Sequence, residues 1–238
     1  MPRAGLTPAI VVAEAARLAD EVGLEKLTLA LVAQRLGVAL PSLYKHIKGL
    51  DALHQQIAAL ATEEITAEFA TAAVGRAGTE AVHAVADAYR AYARAHPGRY
   101  PATQRVPDPA NDAHVRAAER AVGTIAAVLA GYGLTGDDAI DATRALRSAL
   151  HGFVSLETSG GFGLPQDVDR SFHRLVTALD GAFRSWPAAA PLQVPDLGRA
   201  RRQAPGHTRR QPRGQHSAPQ LVGKMRHGNA CLSYSVRR

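Results

Sequence analysis

The feature that most constrains this fold is a break at Gly37 between two segments that are too short to be stable helices alone. Before the break, Thr28 can cap a helix whose apolar residues recur at helical spacing: Leu29, Val32, Ala33 and Leu36. After it, Pro41 and Ser42 can begin a second helix, which we predict to extend through Ile47. Two such short helices must pack against each other across a tight turn, which Gly37 supplies. The pattern therefore predicts a helix-turn-helix.

Helical periodicity continues on both sides of this unit. Thr7 and Pro8 begin a helix that ends at Gly23, and a longer helix runs from Asp51 to about Val74. Further helices are predicted over residues 79–95, 111–132, 137–159 and 167–186, with breaks at 96–98, 100–109, 133–136 and 160–165. No segment alternates as a strand would, and the composition is rich in Ala and Leu with only 5% aromatic residues. We therefore predict an all-α fold.

The positive charge of the chain is concentrated after residue 187. The whole sequence has a formal net charge of +7, but residues 188–238 hold 10 Lys and Arg against the single acid Asp196. The rest holds 18 Lys and Arg against 20 acids, so the basic total says nothing direct about the folded part. The segment is rich in Pro, Gly, Gln and Arg without periodicity, which predicts a disordered basic tail. Three interpretations of this segment stay open: a solvated tail, a non-specific phosphate-binding arm, and an extension without a selected role.

The sequence argues against several classes of site. Its one cysteine, Cys231, allows neither an intrachain disulfide nor a cysteine metal site. It has no glycine-rich phosphate loop, nucleophile elbow or HExxH pattern, so we expect no enzyme, no cofactor and no metal. Residues 1–5 lead directly into an amphipathic pattern, and no apolar run approaches about 18 residues. We therefore expect a cytoplasmic protein with neither a signal peptide nor a membrane partner.

The second short helix carries side chains suited to nucleic acid. Ser42, Tyr44, Lys45 and His46 offer hydroxyl, aromatic, cationic and imidazole groups that can contact phosphates or base edges. The free backbone N–H groups at the start of this helix can also contact a phosphate. The alternatives are that Tyr44 packs between helices, that His46 is a surface histidine without a DNA contact, and that the lysines are ordinary solvated residues.

Residues 1–55 resemble the DNA-binding domain of the tetracycline-repressor (TetR) family. Identities and spacing match the family motif without a gap at Ala15, Leu18, Gly23, Leu27, Thr28, Val32, Ala33, Leu36, Gly37, Val38, Leu43, Tyr44, His46 and Leu53. The resemblance implies that residues 1–55 form a three-helix helix-turn-helix domain whose second short helix enters the major groove of duplex DNA. Within residues 28–47 it implies contacts to phosphates or bases at Thr28, Leu40, Pro41, Ser42, Tyr44, Lys45 and His46.

The chain departs from the family at two places. Where the family commonly has a lysine, this chain has Leu50, and we expect Lys48 to make that phosphate contact instead. The tetracycline repressor has polar base-reading side chains at the positions of Ala30 and Leu40. We therefore expect a different operator, with apolar contacts to thymine methyl groups.

Residues 144–176 resemble a C-terminal subclass of the family named for a Trp-His-Gly signature, where this chain has Leu150-His151-Gly152. The resemblance implies a helical domain over residues 56–187 that binds an inducer and dimerises. We predict inducer contacts at His151 and Phe153, with a core or interface role as the alternative for His151. The apolar faces of the last two helices predict a four-helix dimer interface at Ala145, Ala149, Gly152, Phe172, Val176 and Leu179. The alternative is that these faces only close the core of one chain.

Together these observations predict a dimeric repressor that leaves a palindromic DNA operator when a small apolar inducer binds. A homodimer is also expected because one short recognition helix reads too few base pairs for useful specificity. Three alternatives are a DNA-binding regulator without an inducer, a helical ligand carrier or enzyme with a vestigial helix-turn-helix, and a non-specific nucleic-acid binder that acts through its tail.

Overall fold

A computed structural model describes residues 5–186, which form nine α-helices, one 3₁₀ helix at Leu24–Lys26 and no strand. The helices are α1 (Pro8–Val22), α2 (Leu29–Leu36), α3 (Leu40–Leu43), α4 (Leu50–Ala73), α5 (Gly78–Ala95), α6 (Arg99–Ala102), α7 (Asp112–Ala130), α8 (Gly136–Thr158) and α9 (Val168–Arg184). The all-α prediction is confirmed. No helix in this part of the chain has both the length and the apolar character needed to cross a membrane. The predicted tail at residues 188–238, with Cys231, lies outside the described residues.

Local caps begin and end the first two helices where the sequence indicates. Thr7 Oγ1 accepts a hydrogen bond from the backbone N–H of Ile10 (3.3 Å), and Thr28 Oγ1 accepts one from Leu31 (3.2 Å). These bonds satisfy N–H groups that the first helical turn leaves without a partner. α2 ends at Gly37, whose φ of 66° lies in the left-handed region. Glycine adopts this conformation without the steric cost that other residues pay, so Gly37 turns the chain toward α3.

Replacing Gly37 with alanine should lower the free energy of unfolding by about 1–2 kcal/mol, the cost of a left-handed L-residue. A Cβ at this position would meet nothing within 4 Å, so the backbone conformation alone causes the loss. Gly123→Ala is the control because Gly123 lies inside α7 in open space, where alanine should add about 0.5–1 kcal/mol of stability. Chemical denaturation measures both variants, and a Gly37→Ala protein as stable as the wild type would contradict the left-handed turn.

Two apolar cores follow each other along the chain, and α4 contributes to both. The first core is built from α1, α2, α3 and the beginning of α4, where Leu53 and Ile57 are buried. The second is built mainly from α5, α7, α8, α9 and the later turns of α4, where Ile65 and Phe69 are buried. The domain boundary predicted at residue 55 therefore falls inside α4. One continuous helix connects the helix-turn-helix to the rest of the described chain.

The structure differs from the sequence prediction in three short segments. α3 ends at Leu43 rather than Ile47, although the N–H groups of His46 and Ile47 still donate to the Leu43 carbonyl (2.8 and 2.9 Å). The 3₁₀ helix at Leu24–Lys26 was not predicted. α6 lies where the proline-rich stretch predicted a break. These differences concern segments of three or four residues, for which local propensity is a weak guide.

Contacts with α1 position α6. Asp20 Oδ1, near the end of α1, accepts hydrogen bonds from the backbone N–H groups of Gly98 (3.1 Å) and Arg99 (2.8 Å). The backbone of Gly98 lies directly against α1, since a Cβ there would be 1.9 Å from the carbonyl oxygen of Ala19. A carboxylate from a distant helix thus takes the role that a local cap plays elsewhere, and the local sequence around α6 does not reveal it.

Candidate nucleic-acid interface and cavity

α3 and the turn after it are anchored on one side and exposed on the other. Leu43 and Ile47 are buried in the first core and fix the orientation of the segment. These two residues are four positions apart, so they share one face, and the residues between them turn toward solvent. Tyr44 is 57% exposed, and Lys45 is exposed beside it. The segment therefore presents an aromatic hydroxyl and a cation outward.

Three more of the predicted DNA contacts on α3 and the following turn are exposed, and two are less accessible. Leu40, Pro41 and Lys48 are exposed, whereas Ser42 and His46 are half-buried. The exposed set is called the recognition surface below: Leu40, Pro41, Tyr44, Lys45 and Lys48. Among the described residues, neither lysine has an ion-pair partner. The positive charge of this surface is therefore available to an external anion.

Thr28 adds a hydroxyl at the start of α2. Its Oγ1 accepts the N–H of Leu31, which leaves its O–H group able to donate to a phosphate oxygen. The helix N-terminus also carries partial positive charge that favours an anion. Arg35 has a different role, because it donates to Glu14 (3.4 Å) and Glu21 (2.8 Å) of α1. Its charge is compensated, and it fastens α2 to α1.

A cavity of about 170 Å³ lies between α4, α5, α7 and α8. Its wall is mainly apolar and includes Ile65, Phe69, Val85, Ile125, Leu146 and Leu150. The segment that follows α6 adds Thr103, Gln104, Arg105 and Pro107 to the wall. An apolar enclosure with a few polar groups is the usual form of a small-molecule site.

His114 of α7 is a buried polar group in the cavity wall. Its Nε2 lies 3.5 Å from Thr62 Oγ1, and its Nδ1 has no hydrogen-bond partner among the described residues. Burial, and secondarily the positive charge of Arg105, lowers the pKa of His114 below its ordinary value. The imidazole is therefore neutral at pH 7.

A chain of hydrogen bonds leads out of the cavity from Tyr89. The hydroxyls of Tyr89 and Tyr100 are 2.9 Å apart, and Tyr100 Oη lies 2.7 Å from Nδ1 of His151. Burial raises the pKa of both tyrosines, so both hydroxyls keep their protons at neutral pH. Only Tyr89 of these three residues lines the cavity, and His151 is connected to it through the two tyrosines.

Known proteins resemble this chain in both sequence and architecture. A protein-family model described as the C-terminal domain of tetracycline-repressor-like proteins matches residues 82–179. The HTH-type transcriptional regulator Rv0681 of Mycobacterium tuberculosis is 40% identical over 151 residues, which cover 63% of this chain and 68% of that protein. The HTH-type transcriptional regulator YobS of Bacillus subtilis is 33% identical over 169 residues, which cover 70% of this chain and 87% of that protein. The chain belongs to the TetR family.

Solved structures share the fold of this chain. A TetR variant from Acinetobacter baumannii in complex with minocycline has a TM-score of 0.60 at 24% identity, covering 78% of this chain and 100% of that one. Apo ActR from Streptomyces coelicolor has a TM-score of 0.59 at 22% identity, covering 76% of this chain and 96% of that one. The predictions of a TetR-type helix-turn-helix and of a DNA-binding regulator are confirmed. The Trp-His-Gly subclass and the individual DNA contacts at residues 28–48 stay predictions.

Two residues predicted to contact an inducer lie outside this cavity, and their contacts with an inducer stay a prediction. Neither His151 nor Phe153 lines the cavity. Phe153 packs instead between Phe162 and Phe172, with ring centroids 4.8 and 5.1 Å away. Leu150 of α8 faces the cavity, and His151, the next residue, is turned about 100° away from it. Phe153 lies one turn beyond Leu150 along α8, where it contacts the two phenylalanines and not the cavity.

The predicted dimer interface stays a prediction, but two of its residues lie in the core of the single chain. Phe172 and Val176 are only 2% and 1% exposed in the single chain and belong to the second core, so they offer no surface to a partner. The alternative noted from the sequence, that such residues close the core of one chain, applies to these two. Of the other predicted interface residues, Gly152 is exposed, and three are half-buried: Ala145, Ala149 and Leu179.

A polar cluster that joins four helices was not predicted from the sequence. Asp20 Oδ2 accepts a hydrogen bond from Arg99 Nε (2.7 Å), and Arg99 Nη1 donates to Glu64 Oε1 (2.9 Å). The hydroxyl of Tyr92 also donates to Glu64 Oε2 (2.8 Å). The cluster fastens the end of α1 to α4, α5 and α6. One sequence signal was present, because a carboxylate such as Asp20 in the last turn of a helix is unfavourable unless it has a partner.

Proposed function

We propose that this TetR-family regulator is a homodimeric repressor that binds a palindromic operator and releases it when a small, largely apolar molecule fills the cavity. Each protomer places α3 and the following turn in the major groove of one half-site. The repressor acts in the cytoplasm, where the operator is accessible to it. The observation that carries the proposal is the continuity of α4 between the helix-turn-helix and the cavity.

α4 connects the two sites mechanically. It begins at Leu50, two residues after Lys48 of the recognition surface, and its later turns present Thr62, Ile65 and Phe69 to the cavity. At 1.5 Å per residue, Leu50 and Phe69 are about 28 Å apart along one helix. A ligand that displaces the wall of the cavity can thus move the helix-turn-helix as a rigid body. In a dimer, that movement changes the spacing of the two recognition surfaces.

The chemistry of the recognition surface supports contacts with both phosphates and bases. Lys45 and Lys48 supply charges for phosphate oxygens, and the hydroxyl of Tyr44 can donate to the same groups. Leu40 is an exposed apolar side chain that suits the methyl group of thymine. Thr28 adds a donor at the start of α2. The half-buried Ser42 and His46 can reach DNA only with the tips of their side chains.

The outer faces of α8 and α9 support the dimer. Gly152 in α8 and Gly181 in α9 are exposed glycines inside helices, and a Cβ on either would meet nothing within 4 Å in the single chain. Glycine weakens the interior of a helix by about 0.5–1 kcal/mol, and a close approach to another backbone gives such a residue a structural role. We propose that these faces, and not the buried Phe172 and Val176, meet their symmetry copies in a four-helix bundle.

Selection from a random duplex library with the full chain tests the DNA-binding part of the proposal. We expect a palindromic consensus, and we expect Tyr44→Ala/Lys45→Ala to weaken binding to that consensus by about 100-fold, since two contacts to DNA are lost. Arg116→Ala is the control, because Arg116 is an exposed cation on α7, away from the recognition surface. Equal binding by the double variant and the control, or no consensus from folded wild-type protein, would overturn the proposal.

A further inference from the structure

The size of the cavity suits one ring with short substituents. An engineered apolar protein cavity of about 150 Å³ binds benzene. The cavity described above has a volume of about 170 Å³ and is walled by aliphatic and aromatic side chains such as Phe69 and Leu146. The enclosed part of the ligand is therefore a single ring or a group of similar volume.

The charged groups that line the cavity are all cationic. Arg105 and Arg147 lie in its lining, and no aspartate or glutamate of the described chain does. Arg105 Nη2 donates to Asp51 Oδ1 (2.7 Å), an ion pair that partly compensates its charge. Arg147 is an exposed residue whose Nη2 donates to the neutral Gln104 Oε1 (3.1 Å). Since Arg147 has no ion-pair partner among the described residues, its charge is available to a ligand.

The other titratable groups near the cavity are neutral at pH 7. Burial, and secondarily Arg105, lowers the pKa of His114, and burial, and secondarily Arg147, lowers the pKa of His151. Burial raises the pKa of Tyr89. The imidazoles and the phenol thus offer hydrogen bonds but no charge, and the uncompensated charge of the site is that of Arg147.

We infer that the ligand of this cavity is a small aromatic carboxylate. Its ring occupies the apolar interior, and its carboxylate is bound by Arg147, with Gln104 and Arg105 beside it. Planar guanidinium groups bind carboxylates through charge-assisted hydrogen bonds, which are stronger than hydrogen bonds to a neutral amide. The inference rests on the proposed function, because it names the class of molecule that would act as the inducer.

Isothermal titration calorimetry with the full-length protein tests the inference with three probes of nearly the same shape: phenylacetate, phenylacetamide and 2-phenylethylamine. We expect phenylacetate to bind at least about 10-fold more tightly than the amide, and the amine to bind most weakly. Arg147→Gln should reduce the preference for the carboxylate to about 2-fold or less, since it removes the uncompensated charge. Equal affinities for acid and amide, a preference for the amine, or no binding of any probe would overturn the inference.

Arg144→Gln is the matched control. Arg144 lies three residues before Arg147 on α8, is exposed, pairs with Asp141 (3.2 Å) and does not line the cavity. This variant should keep the full preference for phenylacetate. If Arg144→Gln also lost the preference for phenylacetate, the preference would come from the overall positive charge of the surface and not from Arg147.

Binding of the selected operator separates this inference from the proposed function. A protein that selects a palindromic operator but binds none of the probes would refute the ligand class and leave the DNA-binding proposal intact. A protein that binds phenylacetate but keeps its operator when saturated with it would refute release by an inducer and leave the ligand class intact.

Discussion

Replacing Gly98 with alanine is expected to lower the free energy of unfolding by about 3 kcal/mol, the upper end of the usual cost of overpacking. The added Cβ would lie 1.9 Å from the carbonyl oxygen of Ala19 and 2.5 Å from the backbone nitrogen of Asp20. Both atoms belong to the backbone of α1, so no side-chain rotation can relieve the contact. The chain must instead move α6 away from α1. Thermal or chemical denaturation of the purified protein measures the loss.

The displacement should also weaken the polar cluster around Asp20. The carboxylate of Asp20 accepts backbone hydrogen bonds from Gly98 and Arg99, and these bonds lengthen if α6 moves. Gly123→Ala, in open space inside α7, introduces the same methyl group without a neighbour and should not destabilise the protein. If Gly98→Ala were as stable as that control, α6 would not be packed against α1 as described.

Truncating Phe172 to alanine should cost about 3–5 kcal/mol, the usual penalty for removing a large buried aromatic side chain. Phe172 is 2% exposed, its ring is 5.1 Å from that of Phe153, and the guanidinium carbon of Arg90 lies 4.7 Å from its centroid. Arg90 is held in turn by Glu157 (2.8 Å) and Asp169 (2.6 Å). The variant therefore leaves a cavity and removes a cation–π contact beneath a partly buried ion-pair cluster.

Phe162→Ala is the matched control for this prediction, because Phe162 contacts the same Phe153 but is 37% exposed. We expect it to cost about 1 kcal/mol or less, since a solvent-facing side chain leaves a smaller cavity. Analytical ultracentrifugation at equal concentrations decides whether Phe172 belongs to the core or to a dimer interface. If Phe172→Ala were a stable monomer with an unchanged free energy of unfolding per chain, Phe172 would belong to a dimer interface and not to the core.

The sequence by itself determined the helices that have local signals. Thr7 and Thr28 cap α1 and α2 through hydrogen bonds to backbone groups three residues away, and Gly37 ends α2 in a left-handed conformation. These interactions lie within a few residues, so residue type and spacing specify them. Short-range patterns within residues 1–55 also carried the resemblance to the TetR family. The helix-turn-helix and the family were therefore predictable before any coordinates.

Only the tertiary structure decided which way the apolar faces turn and where the cavity lies. Periodicity marked Phe172 and Val176 as apolar, but it cannot distinguish a neighbouring helix of the same chain from one of a partner. The cavity is the space that four helices leave between them, so its wall depends on packing angles that no local pattern encodes. α6 likewise exists where it does because Asp20, far away in sequence, supplies its cap. Contacts between distant residues set these features, whereas the sequence pattern specifies only near neighbours.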